Sequence, residues 1–224
     1  MNQIKRLSYQ SFIVTLFSIL SLGLFSCNDN TTEPPSGTSF YPLSVGNNWI
    51  YDSWSYDTLG VLINQWQFTD SIPKYVLSEI GVIYNIKSPL RFYHNEDYYL
   101  QLKSNGLHFL VTSVSGNFIH NDALIYQYPA NKNDFFTNGR YNQDTTFVVS
   151  INDTVICEAG QFSSIVYQVF NKEYISNTEF RILGYSNTYV SSGIGKVKYE
   201  LFQLRSDNEY VKTFEYSLNS YLTH

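Results

Sequence analysis

Cysteine is scarce in this chain, which contains only Cys27 and Cys157 among 224 residues. If Cys27 is acylated, as its place directly after a short apolar N-terminal segment indicates, Cys157 has no partner for an intramolecular disulfide. A small domain stapled by disulfides is therefore excluded, and the fold has to be stabilised by packing. Long apolar runs are also missing. The longest, at residues 12–25, falls short of the roughly 20 residues that a membrane-spanning helix requires.

Positive charge is in short supply as well. The chain carries 14 Lys and Arg against 19 Asp and Glu, which gives a formal net charge of −5 at pH 7. A protein that neutralises the phosphates of a nucleic acid needs a surplus of cationic side chains. We therefore predict no nucleic-acid partner.

Motifs for the common catalytic classes are absent. No serine lies in a Gly-x-Ser-x-Gly elbow, and the carboxylates are too scattered to argue for a glycosidase. The segment from Gly193 to Lys196 faintly resembles a phosphate loop, but the Walker spacing and the following Ser or Thr are missing. We predict no catalytic residue and no cofactor from these patterns.

The N-terminus is typical of an export signal. Lys5 and Arg6 precede the short apolar run, which closes in the sequence LFSC at Cys27. This ending resembles the lipobox that lipoprotein signal peptidase recognises, although a plain secretory signal with a chance cysteine is the alternative. We predict a signal peptide over residues 1–26, cleavage between Ser26 and Cys27, and acylation of Cys27 with chains such as palmitate. Two or three such chains anchor a protein stably in a membrane.

The stretch after Cys27 indicates a tether. Residues 28–39 read NDNTTEPPSGTS and offer no apolar side chain to a core, a composition that favours disorder. We therefore assign residues 27–39 to the lipidated cysteine and a disordered tether, and residues 40–224 to a single domain. Removing the first 26 of 224 residues leaves 198 and takes away two positive charges, so the mature net charge is −7. A chain of that length buries a core of its own.

Aromatic side chains and alternating patterns favour β-strands. Aromatic residues make up 17% of the chain, including 20 Tyr and 16 Phe. Apolar and polar residues alternate over 97–104, and Asn105 with Gly106 predicts a type I′ hairpin turn. That turn would place His108 opposite Lys103, on an exposed polar face. The same register pairs Leu102 with Phe109 and Leu100 with Val111.

A second hairpin is predicted around Asn152 and Asp153, joining residues 146–151 to residues 154–158. In this register Cys157 lies opposite Val148 on an apolar face. We therefore expect it to be a small buried residue and not a nucleophile.

Alternation returns near the C-terminus, over residues 196–201 and 210–218, on either side of a polar turn at 205–209. Lys196 is predicted on the polar face of the first of these strands. No segment after Cys27 shows sustained helical spacing. Many short strands at near-regular spacing predict an all-β fold, an antiparallel meander that forms a barrel or a curved half-barrel, lipocalin-like or lipoprotein-carrier-like.

Three twelve-residue stretches resemble a known group. They are YPLSVGNNWIYD from Tyr41, AGQFSSIVYQVF from Ala159 and YVSSGIGKVKYE from Tyr189. Together they are similar to uncharacterised lipoproteins of the Bacteroidetes, in which an N-terminal "YPL, GN, W, Y" strand is paired with a late "GIG, V, K, Y" hairpin. The resemblance implies export and a β-rich fold. It implies no catalytic residues, because that group has no known activity.

The same stretches have a direct physical interpretation. Gly46 predicts a turn that opens the first strand, on which Trp49 and Tyr51 point to one face. Gly160 predicts a turn between two strands, and the glycines at 193–195 predict a tight reversal.

Converging ligands for a metal ion are scarce. The only nearby set is His94, Glu96 and Asp97 in a polar loop, and solvated turns commonly have this composition. We therefore predict no metal site. His120 lies in another loop and His224 is the last residue, and neither has a visible partner.

The resemblance also implies modification sites. Exported proteins of the Bacteroidetes are O-glycosylated at Ser or Thr after Asp, which indicates Thr58, Ser71, Thr145 and Thr154. The alternative is that these Asp and Thr residues mark turns that enter strands, and the two interpretations carry equal weight.

Two classes of function are compatible with the sequence. The first is a non-catalytic lipoprotein of the cell envelope, held to the outer membrane through the lipid on Cys27. Its curved sheet would offer an aromatic-lined concavity to an apolar small molecule or an envelope protein. The second is an envelope hydrolase with a site assembled from distant residues. We favour the first, because the histidines and Cys157 are predicted without catalytic partners. An apolar tunnel would support the first class, and His94 meeting carboxylates in a cleft would support the second.

Overall fold

The computed structural model describes residues 39–89, 98–112, 118–138, 144–175 and 179–224. The predictions for Ser26, Cys27 and the rest of the tether before residue 39 fall outside these residues. So do the set His94, Glu96 and Asp97 and the side chain of His120. Within the described ranges, we find no helix with the length and hydropathy needed to cross a membrane.

Twelve antiparallel strands make up one sheet in the described part of the chain. The strands are β1 Asn48–Tyr56, β2 Leu62–Ser78, β3 Gly81–Lys87, β4 Tyr98–Lys103, β5 Gly106–Thr112, β6 Phe118–Gln127, β7 Phe135–Asn138, β8 Asp144–Cys157, β9 Gly160–Tyr174, β10 Phe180–Ser191, β11 Gly195–Leu204 and β12 Tyr210–Leu222. Their order across the sheet is β6-β5-β4-β3-β2-β1-β12-β11-β10-β9-β8-β7. Two six-strand meanders are therefore joined where the first strand pairs with the last.

The sheet curls until its two edges approach each other. Tyr126 on β6 packs against Tyr167 on β9, with ring centroids 5.0 Å apart. The hydroxyl of Tyr167 donates to the carbonyl of Gln127 at 2.6 Å. Because β6 is one edge strand and β9 is third from the other edge, the sheet forms a nearly closed barrel. The predicted all-β antiparallel meander is confirmed.

Aromatic side chains fill the inner face of the barrel. Trp49 and Tyr51 are fully buried on one face of β1, as predicted. The indole nitrogen of Trp49 donates to the carbonyl of Ile194 at 2.6 Å. The ring of Tyr51 lies 5.0 Å from those of both Phe68 and Tyr216. Aromatic burial on this scale stabilises the domain without a disulfide.

The hairpin of β4 and β5 exists, but its register differs from the prediction by two residues. Lys103 lies opposite Gly106, so the turn residues are Ser104 and Asn105. A shift of two keeps each side chain on its predicted face. The observed register pairs Leu102 with Leu107 and Leu100 with Phe109. Glycine is required at position 106 for a different reason from the one predicted. A Cβ atom there would lie 2.0 Å from the carbonyl oxygen of Tyr126 on β6, so only glycine allows the two strands to approach this closely.

The second predicted hairpin is wrong. β8 runs through residues 152–153 without a turn, and the pairing with β9 is irregular over 150–153, which indicates a β-bulge. A polar pair in the middle of a strand marks such a bulge as readily as it marks a turn. The chain reverses instead between Cys157 and Gly160, which lie opposite each other, so Cys157 does not face Val148.

The remaining turns agree with the sequence. A turn at Gly46, where φ is +96°, precedes β1. The reversal at 193–195 separates β10 from β11, and the polar turn at 205–209 separates β11 from β12.

Candidate functional site

Lys196 points into the barrel, so its predicted place on the polar face is wrong. The pairing of β10 with β11 shifts between Tyr189, which faces Lys198, and Val190, which faces Lys196. Val197 is therefore the extra residue of a β-bulge, and a bulge interrupts the strict alternation of faces. Val197 is fully buried, and the neighbouring Lys196 side chain is only 20% exposed.

Inside the barrel, Lys196 forms a salt bridge with Asp70, whose side chain is 1% exposed. Its Nζ atom donates to Oδ2 of Asp70 at 3.0 Å and to the hydroxyl of Tyr216 at 3.4 Å. The same ammonium group lies 5.7 Å from the ring centroid of Tyr51 and 5.5 Å from that of Tyr216. The other carboxylate oxygen, Oδ1 of Asp70, has no hydrogen-bond partner among the described residues.

Opposing effects act on the pKa of Lys196. Burial alone would lower it, but the charge of Asp70 and the phenol groups of Tyr216 and Tyr51 outweigh burial and hold this pKa well above its usual value. Burial raises the pKa of Tyr51 and of Tyr216. At neutral pH the cluster therefore contains an ammonium group and neutral phenols. A protonated lysine is neither a nucleophile nor a base.

A cavity of about 580 Å³ lies at the end of the barrel where the chain enters the sheet. Its volume is in the range of small-molecule sites. It is lined by Ser39, Pro42, Leu43, Ser44, Val82, Tyr84, Gln101, Leu102, Gly193, Thr223 and His224. These described lining residues include no Asp, Glu, Lys or Arg, but they include His224, so the cavity combines apolar surface with hydroxyl and amide groups and one imidazole ring.

Asn47 holds the wall of the cavity in place. This side chain is fully buried. Its Nδ2 atom donates to the carbonyl of Pro42 at 2.9 Å, and its Oδ1 atom accepts from the backbone nitrogen of His224 at 2.8 Å. The backbone nitrogen of Gly193 donates to the carbonyl of Ser39 at 3.1 Å. One buried amide therefore ties the entering chain to the end of β12.

Gln101 is a buried polar residue in the wall of the cavity. The residue is 6% exposed, and its Nε2 atom donates to the carbonyl of Ile80 at 2.6 Å. Oε1 is buried and has no hydrogen-bond partner in the described part of the protein. Turning the amide over would set two acceptors against each other, so its orientation is fixed. A buried acceptor without a donor is costly, and this atom has almost no accessible surface through which a molecule in the cavity could reach it.

His108 is buried and has two partners, so its prediction as an exposed histidine is wrong. It is 7% exposed and faces Gln101. Nδ1 of His108 lies 2.6 Å from Oδ1 of Asp122, and Nε2 lies 2.8 Å from Oδ1 of Asn105. Lys103 forms a salt bridge with the same carboxylate. Both ring nitrogens are occupied, which leaves neither free to accept a proton from a nucleophile.

The carboxylate beside His108 is stabilised in its charged form. Burial would raise the pKa of Asp122, but hydrogen bonds from Lys103 and His108 outweigh burial and hold this pKa below its usual value. The group therefore acts as a fixed anion that orients its neighbours. Sequence periodicity missed this cluster, because Asp122 lies on β6, whose irregular pairing with β5 the sequence does not indicate.

Other residues singled out from the sequence are dispersed over the fold. The described residues contain no group of three His, Cys, Asp or Glu that could hold a metal ion. Thr58 and Thr154 are exposed, whereas Ser71 and Thr145 are partly buried. Their glycosylation stays a prediction.

Cys157 is partly buried at the turn between β8 and β9. Its thiol donates weakly to the carbonyl of Gly160 at 3.7 Å. Burial raises the pKa of this thiol, which keeps it protonated at neutral pH and hence unreactive. The interpretation of Cys157 as a packing residue fits this environment.

Comparisons with known proteins give fold-level similarity only. No family model and no curated protein matches the chain. A crystal structure of a candidate exported protein with a YmcC-like fold, from Bacteroides fragilis, is similar with a TM-score of 0.47 and 14% identity, covering 83% of this chain and 100% of that chain. A candidate lipoprotein from Parabacteroides distasonis is similar with a TM-score of 0.43 and 16% identity, covering 83% of this chain and 99% of that chain.

Proposed function

We propose that the protein is a lipid-anchored component of the cell envelope that binds a small molecule in the end cavity without acting on it chemically. The cavity carries this proposal. Its volume and its mixture of apolar walls with a few polar groups are those of a binding site. Because aromatic side chains pack on the inner face of the sheet, we propose the end cavity as the site, and not the concavity expected within the sheet.

The chemistry of the described residues supports binding without catalysis. Lys196 is held as a cation by Asp70, and both ring nitrogens of His108 are occupied. The thiol of Cys157 has a raised pKa. None of these residues lines the cavity. A hydrolase would need a base hydrogen-bonded to a nucleophile in a pocket. The described lining includes His224 and the hydroxyl groups of Ser39, Ser44 and Thr223, but no hydrogen bond joins the ring of His224 to any of these hydroxyl groups.

The position of the cavity supports a place close to a membrane. Ser39, the last residue of the predicted tether, lines it. A tether of about a dozen residues reaches on the order of 20 Å. We propose that the lipid on Cys27 holds the domain at the outer membrane, with the cavity within that distance of the lipid headgroups. This proposal agrees with the resemblance to Bacteroidetes lipoproteins.

Ligand binding can be tested by filling the cavity. Leu102 lines it, and Leu102→Trp should occupy much of its volume. Full-length protein purified from its native cells should carry a small molecule that native mass spectrometry detects, and the Leu102→Trp variant should lose it. The matched control is Leu77→Trp, because Leu77 is also an exposed leucine, on β2, but does not line the cavity. An equal ligand content in all three proteins would contradict the proposal.

The anchor can be tested separately. The variant Cys27→Ser cannot accept a diacylglycerol, so the precursor should escape lipoprotein signal peptidase and the protein should lose acyl label. Membrane fractionation and metabolic labelling with a palmitate analogue would measure both effects. The variant Cys157→Ser is the control, since it should be labelled like the unmodified protein. An acylated, membrane-bound Cys27→Ser product would rule out the proposed anchor.

A further inference from the structure

We infer that the barrel end beside the cavity carries an apolar patch that docks onto the surface of a lipid bilayer. This inference rests on the anchor at Cys27 in the proposed function, and it names the surface of the domain that faces the membrane. The patch consists of Val45, Leu77, Ile80, Val82 and Leu102.

The side chains of the patch are apolar and yet exposed. Leu77 is 73% exposed, and the other four are between 39% and 44% exposed. Leu77 on β2 lies opposite Val82 on β3, and Val82 lines the end cavity together with Leu102. Val45 directly follows Ser44, which is another residue of the cavity wall. The patch therefore surrounds one side of the cavity, and apolar surface gathered in this way indicates an interaction site.

The tip of the β2–β3 hairpin has an unusual composition for a tip in water. Residues 75–84 read YVLSEIGVIY and contain one charged residue, Glu79. Exposed turns and strand ends normally carry polar turn formers and charges. One face of this hairpin is covered within the domain, because Val76 packs against a small buried cluster. The opposite face, which carries Leu77 and Val82, is exposed.

The tether favours a lipid surface as the partner of this patch. Ser39 lines the same cavity as Val82 and Leu102, so the chain enters the domain beside the patch. Residues 28–38 alone separate Ser39 from Cys27, and a chain of that length reaches on the order of 20 Å. A surface tethered so close to a bilayer meets it at a high effective concentration. Even a weak preference for lipid therefore keeps the patch docked.

Apolar contact, and not charge, drives this docking. The chain has a formal net charge of −5, and anionic headgroups repel an acidic domain. Glu79 adds a negative charge at the hairpin tip itself. Burial of apolar side chains at the interface is not screened by salt. Docking should therefore persist in vesicles without anionic lipid and at high ionic strength.

A polarity-sensitive fluorophore at the patch tests this inference. The acylated protein with Cys157→Ser and Leu77→Cys is labelled at position 77 and placed in phosphatidylcholine nanodiscs. Acylation occupies the thiol of Cys27, so the label attaches at position 77 alone. A spin-labelled lipid should quench the fluorescence, whereas iodide in the water should not. Both results should hold at low and at high salt.

The matched control is a label at Leu59→Cys. Leu59 is also a leucine with 73% exposure, but it lies in the turn before β2, whereas Leu77 lies near the end of that strand. The 17 residues of β2 span on the order of 50 Å. The label at position 59 should therefore remain in water, where iodide quenches it and the spin-labelled lipid does not.

Substitutions connect docking to the apolar side chains. With the label moved to Ile80→Cys, the combined change Leu77→Thr and Val82→Thr removes apolar surface and keeps a residue type that strands favour. The ratio of docked to undocked domains should fall by about tenfold or more. The control pair Leu59→Thr and Leu62→Thr, at the other end of β2, should leave this ratio unchanged. The melting temperature of each variant shows that it is folded.

Several results would overturn the docking. They are iodide quenching at position 77, equal lipid quenching at positions 59 and 77, and docking that requires anionic lipid and disappears in salt. Protection of position 77 from both quenchers would show that the tether or a second copy of the chain covers the patch, which also refutes the inference. The anchor is judged separately by acyl labelling of the Cys27→Ser variant. An acylated protein that stays with the nanodisc while its label at position 77 lies in water would leave the anchor intact and refute the patch alone.

Discussion

Replacing Lys196 by methionine should lower the free energy of unfolding by about 3 to 5 kcal/mol. The substitution leaves the carboxylate of Asp70, whose side chain is 1% exposed, without its cation inside an aromatic core. A methionine matches the length of the lysine side chain, so lost volume contributes little. Chemical denaturation followed by tryptophan fluorescence would measure the change, because Trp49 is part of the same core.

Two further variants distinguish the buried charge from a general effect of losing a lysine. Lys198 lies two residues along the same strand and pairs with Glu200 at 2.9 Å, but Glu200 also accepts from Lys212 at 3.2 Å. Lys198→Met should therefore cost about 1 kcal/mol or less. The double variant Lys196→Met with Asp70→Leu should recover most of the loss, because an apolar pair replaces the ion pair. Equal losses for the two lysine variants would show that Lys196 is not buried with its partner.

The pH dependence of stability gives a second readout of the same pair. The folded pKa of Lys196 is raised, so its contribution is fully present below the unfolded lysine pKa, about 10.4, and is lost as pH rises toward the folded value. The raised pKa values of Tyr51 and Tyr216 act in the same direction above about pH 10. The unmodified protein should therefore lose stability in this alkaline range. The double variant Lys196→Met with Asp70→Leu should lose less stability over the same pH range. The difference between the two proteins measures the contribution of Lys196.

Replacing Gly106 by alanine should lower the free energy of unfolding by about 3 kcal/mol or more. Two effects add at this position. The backbone has φ of +134°, a conformation that disfavours a Cβ atom by about 1 to 2 kcal/mol. The new Cβ would also lie 2.0 Å from the carbonyl oxygen of Tyr126, and relieving such overlap costs typically 1 to 3 kcal/mol.

Gly60→Ala is the matched control for this substitution. Gly60 also has a positive φ, +81°, but a Cβ atom there meets nothing within 4 Å. Gly60→Ala should therefore lower the free energy of unfolding only through the unfavourable backbone conformation, by about 1 kcal/mol. Thermal and urea unfolding of both variants would measure the difference. Similar losses at the two positions would mean that β5 and β6 do not approach each other as closely as the structure shows.

The sequence predicts the architecture well and the inner site poorly, for a physical reason. Alternation and turn residues identify most strands, because each inward or outward side chain repeats every second residue. A β-bulge breaks that rule locally, and bulges account for the misplaced face of Lys196 and for the hairpin wrongly assigned within β8. The sequence gives no indication that Asp70 is buried in a salt bridge, since its partner Lys196 lies on a distant strand.

The end cavity could not be found from the sequence for a related reason. Its walls come from the entering chain, two hairpins, one turn and the end of β12, which meet only when the barrel closes. Gln101 reads as an ordinary polar residue of an alternating strand, and its missing partner is visible only in three dimensions. His108 keeps its predicted face in either register, but the sequence does not show that Asp122 on β6 and Asn105 contact its ring.

The pairing of the first strand with the last has a consequence for how the protein is made. β1 leaves the ribosome before the other strands. Because Asn48 lies opposite Leu222, β1 cannot pair with β12, its second neighbour in the sheet, until nearly the whole chain has been synthesised. Until then β1 presents an unsatisfied strand edge, the kind of surface that templates aggregation. Pairing at such sequence separation also slows folding. A nascent chain truncated before β12 should therefore depend on a chaperone that shields this edge of β1.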